Sequence, residues 1–330
     1  MAMDILEKYF NIKADQSIRI GRQIRHVSNG LLYTIVSVTH VEQEVLIELY
    51  EMSEHMAKNS DKKVARFVSG KEGKYLITHE NEDYVLLQNQ FHTTNRLRKT
   101  GRQLAKFHNR GKNLQAPIKT LNRAGEWKDF WAARLDQMEK VWGGLSQEPP
   151  REEFDKMFIE SFPYYMGLCE NAIQYVTDTE LDEKPQHFDY GTICHERFHE
   201  DLWKNEQEIR NPFDWVLDHP SRDISEWVRD RYFKGSRILR PDMMSFLNDY
   251  QSVSPISPFA WRLIYARLLF PLHYFVCVEE YYNTHSQSVK KQLEETLDRY
   301  LRDTKDYEQF LRSFYTMVGV KKKLPAVEWL

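Results

Sequence analysis

The 330-residue chain carries 46 Lys and Arg against 49 Asp and Glu, a formal net charge of −3, with the two signs interspersed. That mixture excludes a basic nucleic-acid face and an acidic solvating tail. With 41% hydrophobic residues, 8 Trp, 18 Tyr and 18 Phe, there is apolar and aromatic surface enough for a large core, which excludes a disordered chain.

The chain opens with a short amphipathic stretch (Ile5, Leu6, Tyr9, Phe10) that lacks the basic-then-apolar order of a secretory signal, so none is expected. Ser17 to Val38 reads as extended pieces broken by turns, with Ser28-Asn29-Gly30 a hairpin signal. Val45, Leu49, Met52 and Met56 then recur at helical spacing opposite Glu44, Glu48, Glu51 and Glu54, which predicts an amphipathic helix over 41–58. Strands follow from Val64 and from Lys74, joined by a turn between Gly70 and Gly73, and a third covers Tyr84 to Gln88. The first 90 residues thus read β, β, α, β, β, β.

From Asn95 helices dominate. Leu97, Leu104 and Phe107 share a helical face that Gly111 can terminate, and Trp127, Trp131, Leu135, Met138 and Trp142 stripe a helix over 126–145 that reads as core. Further helices are expected at Glu152 to Val176, Asp223 to Phe233 and Asp242 to Tyr250, with one long helix from Val289 to Met317. The most apolar stretch, Phe259 to Val278, has the length of a membrane span of about 20 residues but carries Arg262, Arg267, Pro271 and His273. It reads as a buried helix broken near Pro271, without membrane insertion. The odd, widely spaced Cys169, Cys194 and Cys277 fit buried thiols of a reducing compartment. A small antiparallel β lobe with one helix (1–90) followed by a large, mainly helical lobe (91–330) is an α+β, protein-kinase-like two-lobe plan.

The chemistry-bearing stretch is Gln186 to Trp227. A kinase-type phosphotransferase needs a base near the acceptor hydroxyl, an Asn and an Asp for magnesium, and a Lys for the nucleotide phosphates. Set against the HGDxxxxN loop of aminoglycoside and choline phosphotransferases, His187 and Asp189 match, whereas Phe188 and Cys194 replace the Gly and the metal-binding Asn. Aligning Pro212-Phe213-Asp214-Trp215 on the later DFDW puts Pro212 at the second metal position and leaves nearby Asp214 two residues along. No GxGxxG is present, with Gly21 and Gly30 standing alone, and Leu31 to Val38 contains no Lys. Glu44 and Glu48 therefore lack the ion-pair partner of an active kinase, and their face is expected to be solvated.

A competing pattern is the HExxH string His195-Glu196-Arg197-Phe198-His199, which on a helix would hold zinc beside a general-base Glu. The preceding Gly191 and the following Asp-Leu-Trp-Lys do not make a core-facing helix, and no third ligand stands in a recognisable motif, so the string reads as coincidence. Asp223 and Glu226 have the spacing of a capping box, His108 reads as packing or hydrogen-bonding beneath the loop, and Cys194 as an inert thiol.

Four stretches, LAKFHNRGKNL from Leu104, AGEWKDFWAARLDQMEKVW from Ala124, HFDYGTICHERF from His187 and FDWVLDHPSRDISEWVRD from Phe213, carry a family resemblance. In them the chain resembles the kinase-like spore coat proteins of endospore-forming bacilli, the CotS relatives and most closely the YutH-type branch, within the aminoglycoside/choline phosphotransferase superfamily. The resemblance implies synthesis in the mother-cell cytoplasm, incorporation into the spore coat and other spore coat proteins as partners. With the catalytic losses, it implies a pseudokinase in coat assembly or structure that needs no cofactor. The alternatives are an active small-molecule phosphotransferase using ATP and Mg, and an HExxH zinc hydrolase.

Overall fold

The computed structural model describes residues 2–20, 23–90, 99–199, 201–204, 209–235, 239–327 and 329. Gly21 and Leu97, used above, lie outside the described residues. In chain order the elements are α1 (Ala2–Ile5), a π-helical turn (Leu6–Phe10), β1 (Gln16–Ile20), β2 (Gln23–Ser28), β3 (Leu31–Ser37), α2 (Gln43–Lys58), β4 (Arg66–Val68), β5 (Leu76–His79), β6 (Glu82–Gln90), α3 (Thr100–Gly111), α4 (Trp127–Leu145) and α5 (Glu153–Asp182). Then come β7 (Thr192–His195), α6 (Asp201–Lys204), a 3-10 turn (Pro212–Asp214), β8 (Trp215–Asp218), α7 (Ser221–Phe233), α8 (Leu239–Gln251), α9 (Pro258–Leu269), α10 (Leu272–Asn283), α11 (Gln287–Arg302) and α12 (Thr304–Met317). A small antiparallel sheet with a dominant helical portion gives the α+β class expected.

Two compact units emerge. The first combines Met1–Arg123, Gly191–Asp223 and Asn248–Pro255. Its antiparallel sheet runs β1-β2-β3-β6-β4, with β5 also pairing with β6. β4 takes Leu86 to Gln88 of β6 and β5 takes Glu82 to Val85, so the two share one edge. Three strands precede α2, one more than the sequence pattern separates. Asn29 and Gly30 both adopt left-handed backbone, φ 50° and 72°, the conformation that a two-residue hairpin turn matching strand twist requires. Because strand side chains alternate, Val27, Leu32, Val85 and Leu87 share the face on which α2 lays Leu49 and Val45. Burial of a side chain such as Leu49 is worth about 1.5–3 kcal/mol, which is what fixes α2 on the sheet.

In the same unit β7 and β8 form a two-stranded ribbon, from Thr192 opposite Asp218 to His195 opposite Trp215. Helix α3 lies against β7, and Gly111 explains how closely. A Cβ there would stand 2.7 Å from Thr192 Oγ1 and 2.9 Å from Ile193, so this glycine serves the approach of strand to helix. Thr192 Oγ1 donates to the His108 carbonyl at 2.6 Å, tying the two elements.

The second unit comprises Ala124–Tyr190, Ile224–Leu247 and Ile256–Leu330. It is helical and aromatic: Trp131 stacks on Phe270 with ring centroids 4.6 Å apart, and Tyr165 on Tyr274 at 3.7 Å. Trp127, Trp131, Leu135 and Met138 are buried, as a core stripe should be, while Trp142 is half-buried and donates to the Ile159 carbonyl. The apolar stretch breaks at Phe270-Pro271 into α9 and α10, and its charges are neutralised internally. Arg267 and Arg229 both donate to Glu226 Oε1, at 2.8 and 2.7 Å, and Arg262 pairs with Asp182. Among the described residues no helix is long and apolar enough to cross a membrane. The single C-terminal helix expected is two, α11 and α12, separated at Asp303.

Candidate functional site

The β7–β8 ribbon presents a buried polar cluster. Asp223, near the start of α7, accepts the His195 backbone N–H on Oδ1 at 2.9 Å. Its Oδ2 lies 2.7 Å from His195 Nδ1 and 3.0 Å from His108 Nε2. An ionised carboxylate only accepts, so each ring directs an N–H at it. Burial pushes Asp223 up, but His195 and the hydrogen bonds from both imidazoles outweigh that and hold its carboxyl below the usual range. Burial lowers His108, against the opposing pull of Asp223, which leaves Nδ1 of the neutral ring to accept from the Tyr250 hydroxyl at 2.8 Å. Cys194 Sγ donates to the Asp218 and His219 carbonyls at 3.5 and 3.6 Å. Asp223 is thus no capping residue: its two oxygens clamp β7 and α3, and helix α7 begins two residues earlier, at Ser221.

Glu48 corrects a second expectation. Its side chain is not solvated: the residue is 7% exposed and its carboxylate accepts three backbone N–H groups, Lys119 and Thr120 on Oε1 at 2.8 and 2.9 Å and Leu121 on Oε2 at 2.8 Å. Burial raises its carboxyl, yet the backbone donors together hold it below the ordinary value. The loop it anchors is stitched onward, since Leu217 N donates to the Leu121 carbonyl and Arg123 N to that of Leu217. Glutamate on α2 therefore positions the chain beside β8.

The catalytic-looking residues divide between the units. His187 is exposed and Asp189 is 8% exposed, both in the second unit. Asp189 Oδ2 accepts the Gln186 N–H and Oδ1 the Ser257 hydroxyl, each at 2.8 Å, while Ser257 Oγ caps α9 by accepting from Ala260 N. One carboxylate oxygen thus holds the turn before it and the other holds the hydroxyl that caps α9. In the first unit, buried Cys194 sits in mid-strand and buried Pro212 opens the 3-10 turn. Asp214 closes that turn and its carbonyl accepts Glu196 N at 2.8 Å. Burial raises the Asp214 carboxyl, opposed by His195, His199 and Arg25 in that order.

The HExxH string occupies the last residue of β7 and the bend after it, so His195 and His199 share no helical face, and His195 Nδ1 faces Asp223. Among the described residues, the one group of three or more side chains with metal-ligand spacing is His108, Cys194 and Asp223, all buried within 4.8 Å. One imidazole, one thiol and one carboxylate do not fit magnesium, which takes oxygens. Sequence spacing signalled neither this cluster nor the Glu48 anchor, because each joins residues more than seventy positions apart.

The sequence profile described as "Spore coat putative kinase YutH" matches residues 3–314. The chain belongs to this family. It is 46% identical over 301 residues to the endospore coat-associated protein YutH of Bacillus subtilis (strain 168), covering 90% of this chain and 88% of that one. Among solved structures it is similar to an aminoglycoside phosphotransferase from Alicyclobacillus acidocaldarius, with TM-score 0.67, 14% identity and 94% of each chain covered. It is also similar to a microcompartment-associated aminopropanol kinase, with TM-score 0.61, 11% identity and 97% and 98% covered. The last two similarities show a shared kinase-like fold.

Proposed function

We propose that this member of the YutH family is a catalytically inactive kinase relative of the spore coat, made in the mother-cell cytoplasm and acting in coat assembly or structure with other spore coat proteins as partners. The coat setting follows its Bacillus subtilis relative. The observation that carries the inactive reading is Glu48: a kinase needs its helix glutamate free to pair with a strand lysine, and here three backbone N–H groups occupy it while β3 offers no lysine. The closure of both Asp189 oxygens supports the same reading. An open apolar hollow of about 430 Å³ on the first unit, rimmed by exposed Ile47, Tyr75 and Leu76, gives an assembly protein the kind of surface that coat partners would cover.

The test is formation of ADP from ATP with magnesium or manganese in the presence of small amino-alcohol and aminoglycoside acceptors, whose hydroxyl groups would take the γ-phosphoryl group. The expected result is no ADP above that of buffer. Metal-dependent ADP formation abolished by Asp189→Ala or Asp214→Ala would overturn the reading and establish an active phosphotransferase.

A further inference from the structure

Arg25 is the least satisfied charge described in the first unit. It lies on β2, is 7% exposed, and its one hydrogen bond runs from Nη2 to Gln23 Oε1 at 3.1 Å, while Nε and Nη1 are buried without a partner. Alternation puts it on the same sheet face as Val27, which is the core face. The last registered pair of β2 and β3 is His26 with Tyr33, so the next step sets Arg25 beside Thr34, and Thr34 is paired in turn with Leu87 of β6. Phe213 packs against this same core face, and Asp214 follows it in the chain. The charge of Asp214 acts on Arg25 against the effect of its burial, but among the described residues no hydrogen bond or ion pair joins the two.

Each buried donor left unmet costs about 1–3 kcal/mol, and in native proteins such donors are met by water or an ion. A guanidinium has five N–H groups in a planar fork that matches the oxygens of phosphate. The neighbouring strand β3 lacks the phosphate-steadying lysine of kinases, and His108, Cys194 and Asp223, the one close group of metal-ligand side chains among the described residues, do not fit magnesium. We propose that Arg25 is an anion-binding residue that takes a phosphate group, free or on a nucleotide, through Nε and Nη1 and without a divalent metal. Asp214 is the carboxylate competing for that guanidinium. This departs from the expectation that no cofactor is needed, and it rests on the placement of Arg25, not on the loss of catalysis.

The test is thermal unfolding of the full chain with ATP, ADP, inorganic phosphate or adenosine, each in EDTA and again with magnesium. An upward shift in EDTA with the phosphate-bearing ligands and none with adenosine is expected. Inorganic phosphate acting alone would identify free phosphate as sufficient, and a shift restricted to ATP and ADP would identify a nucleotide. Arg25→Met keeps the apolar stem and should weaken binding about tenfold or more, as loss of a hydrogen bond to a charged group does, whereas Asp214→Asn should tighten it. Circular dichroism of each variant and its own ligand-free midpoint separate lost binding from lost folding. No shift with any ligand would overturn the inference, assign water to Arg25 and leave the inactive-kinase reading standing. A shift that needs magnesium and survives Arg25→Met would also overturn the inference and put the ligand on a metal-dependent site, with ATP turnover remaining the separate test of the inactive reading.

Discussion

Asp223 and Arg25 are both buried charges of the first unit, and they are treated in opposite ways. Asp223 has a backbone N–H on one oxygen and two imidazoles on the other, and helix, strand and ribbon are fixed through it. Arg25 keeps two nitrogens unmet beside a carboxylate it does not touch. A charge buried with full hydrogen bonding joins segments that are distant in sequence, whereas one buried without it adds nothing to folding and persists for another reason. The contrast sorts the polar residues of this kinase-like fold into those absorbed by the structure, Glu48, Asp189 and Asp223, and those still open to a ligand.

The contrast breaks most visibly at Asp223. Asp223→Ala leaves His108 and His195 facing an empty site and frees the His195 N–H, and should cost about 3–5 kcal/mol, read as a lowered urea midpoint. An unchanged midpoint would mean that the cluster is incidental. Gly111→Ala drives a methyl into Thr192 and Ile193 and should cost about 1–3 kcal/mol in the same measurement, since backbone and a β-branched side chain cannot step aside. Arg25→Met should go the other way, neutral or stabilising by about 1 kcal/mol without ligand, because replacing an unmatched buried charge by an apolar chain removes a desolvation cost. A loss of several kcal/mol there would place Arg25 with Asp223 among the residues that hold the fold.

Much of the architecture was legible in the sequence because periodicity is local. The α2 face, the Asn29-Gly30 turn, the Trp stripe of α4 and the break at Pro271 all rest on patterns within about twenty residues. The Val289 to Met317 stretch misled for the same reason: its apolar period runs through Asp303, and no proline or glycine marks the break. The site was legible only as a set of departures from the kinase pattern. Glu48 and Asp223 resemble a solvated face and a capping box in sequence. Their partners, Lys119 to Leu121 in one case and His108 and His195 in the other, are set by chain crossings that spacing does not encode.

The most direct measurement is the stability of Glu48→Gln across pH. Because the folded-state carboxyl lies below its ordinary value, its contribution is present above the unfolded pKa, about 4.3, and is lost as pH falls through the folded one. At neutral pH the variant should be less stable by about 1.5–3 kcal/mol, the worth of hydrogen bonds to a charged group, and the gap to wild type should close on acidification. Equal stability of the two proteins at neutral pH would contradict the account, since Glu48 would then not be held by the backbone groups of Lys119 to Leu121.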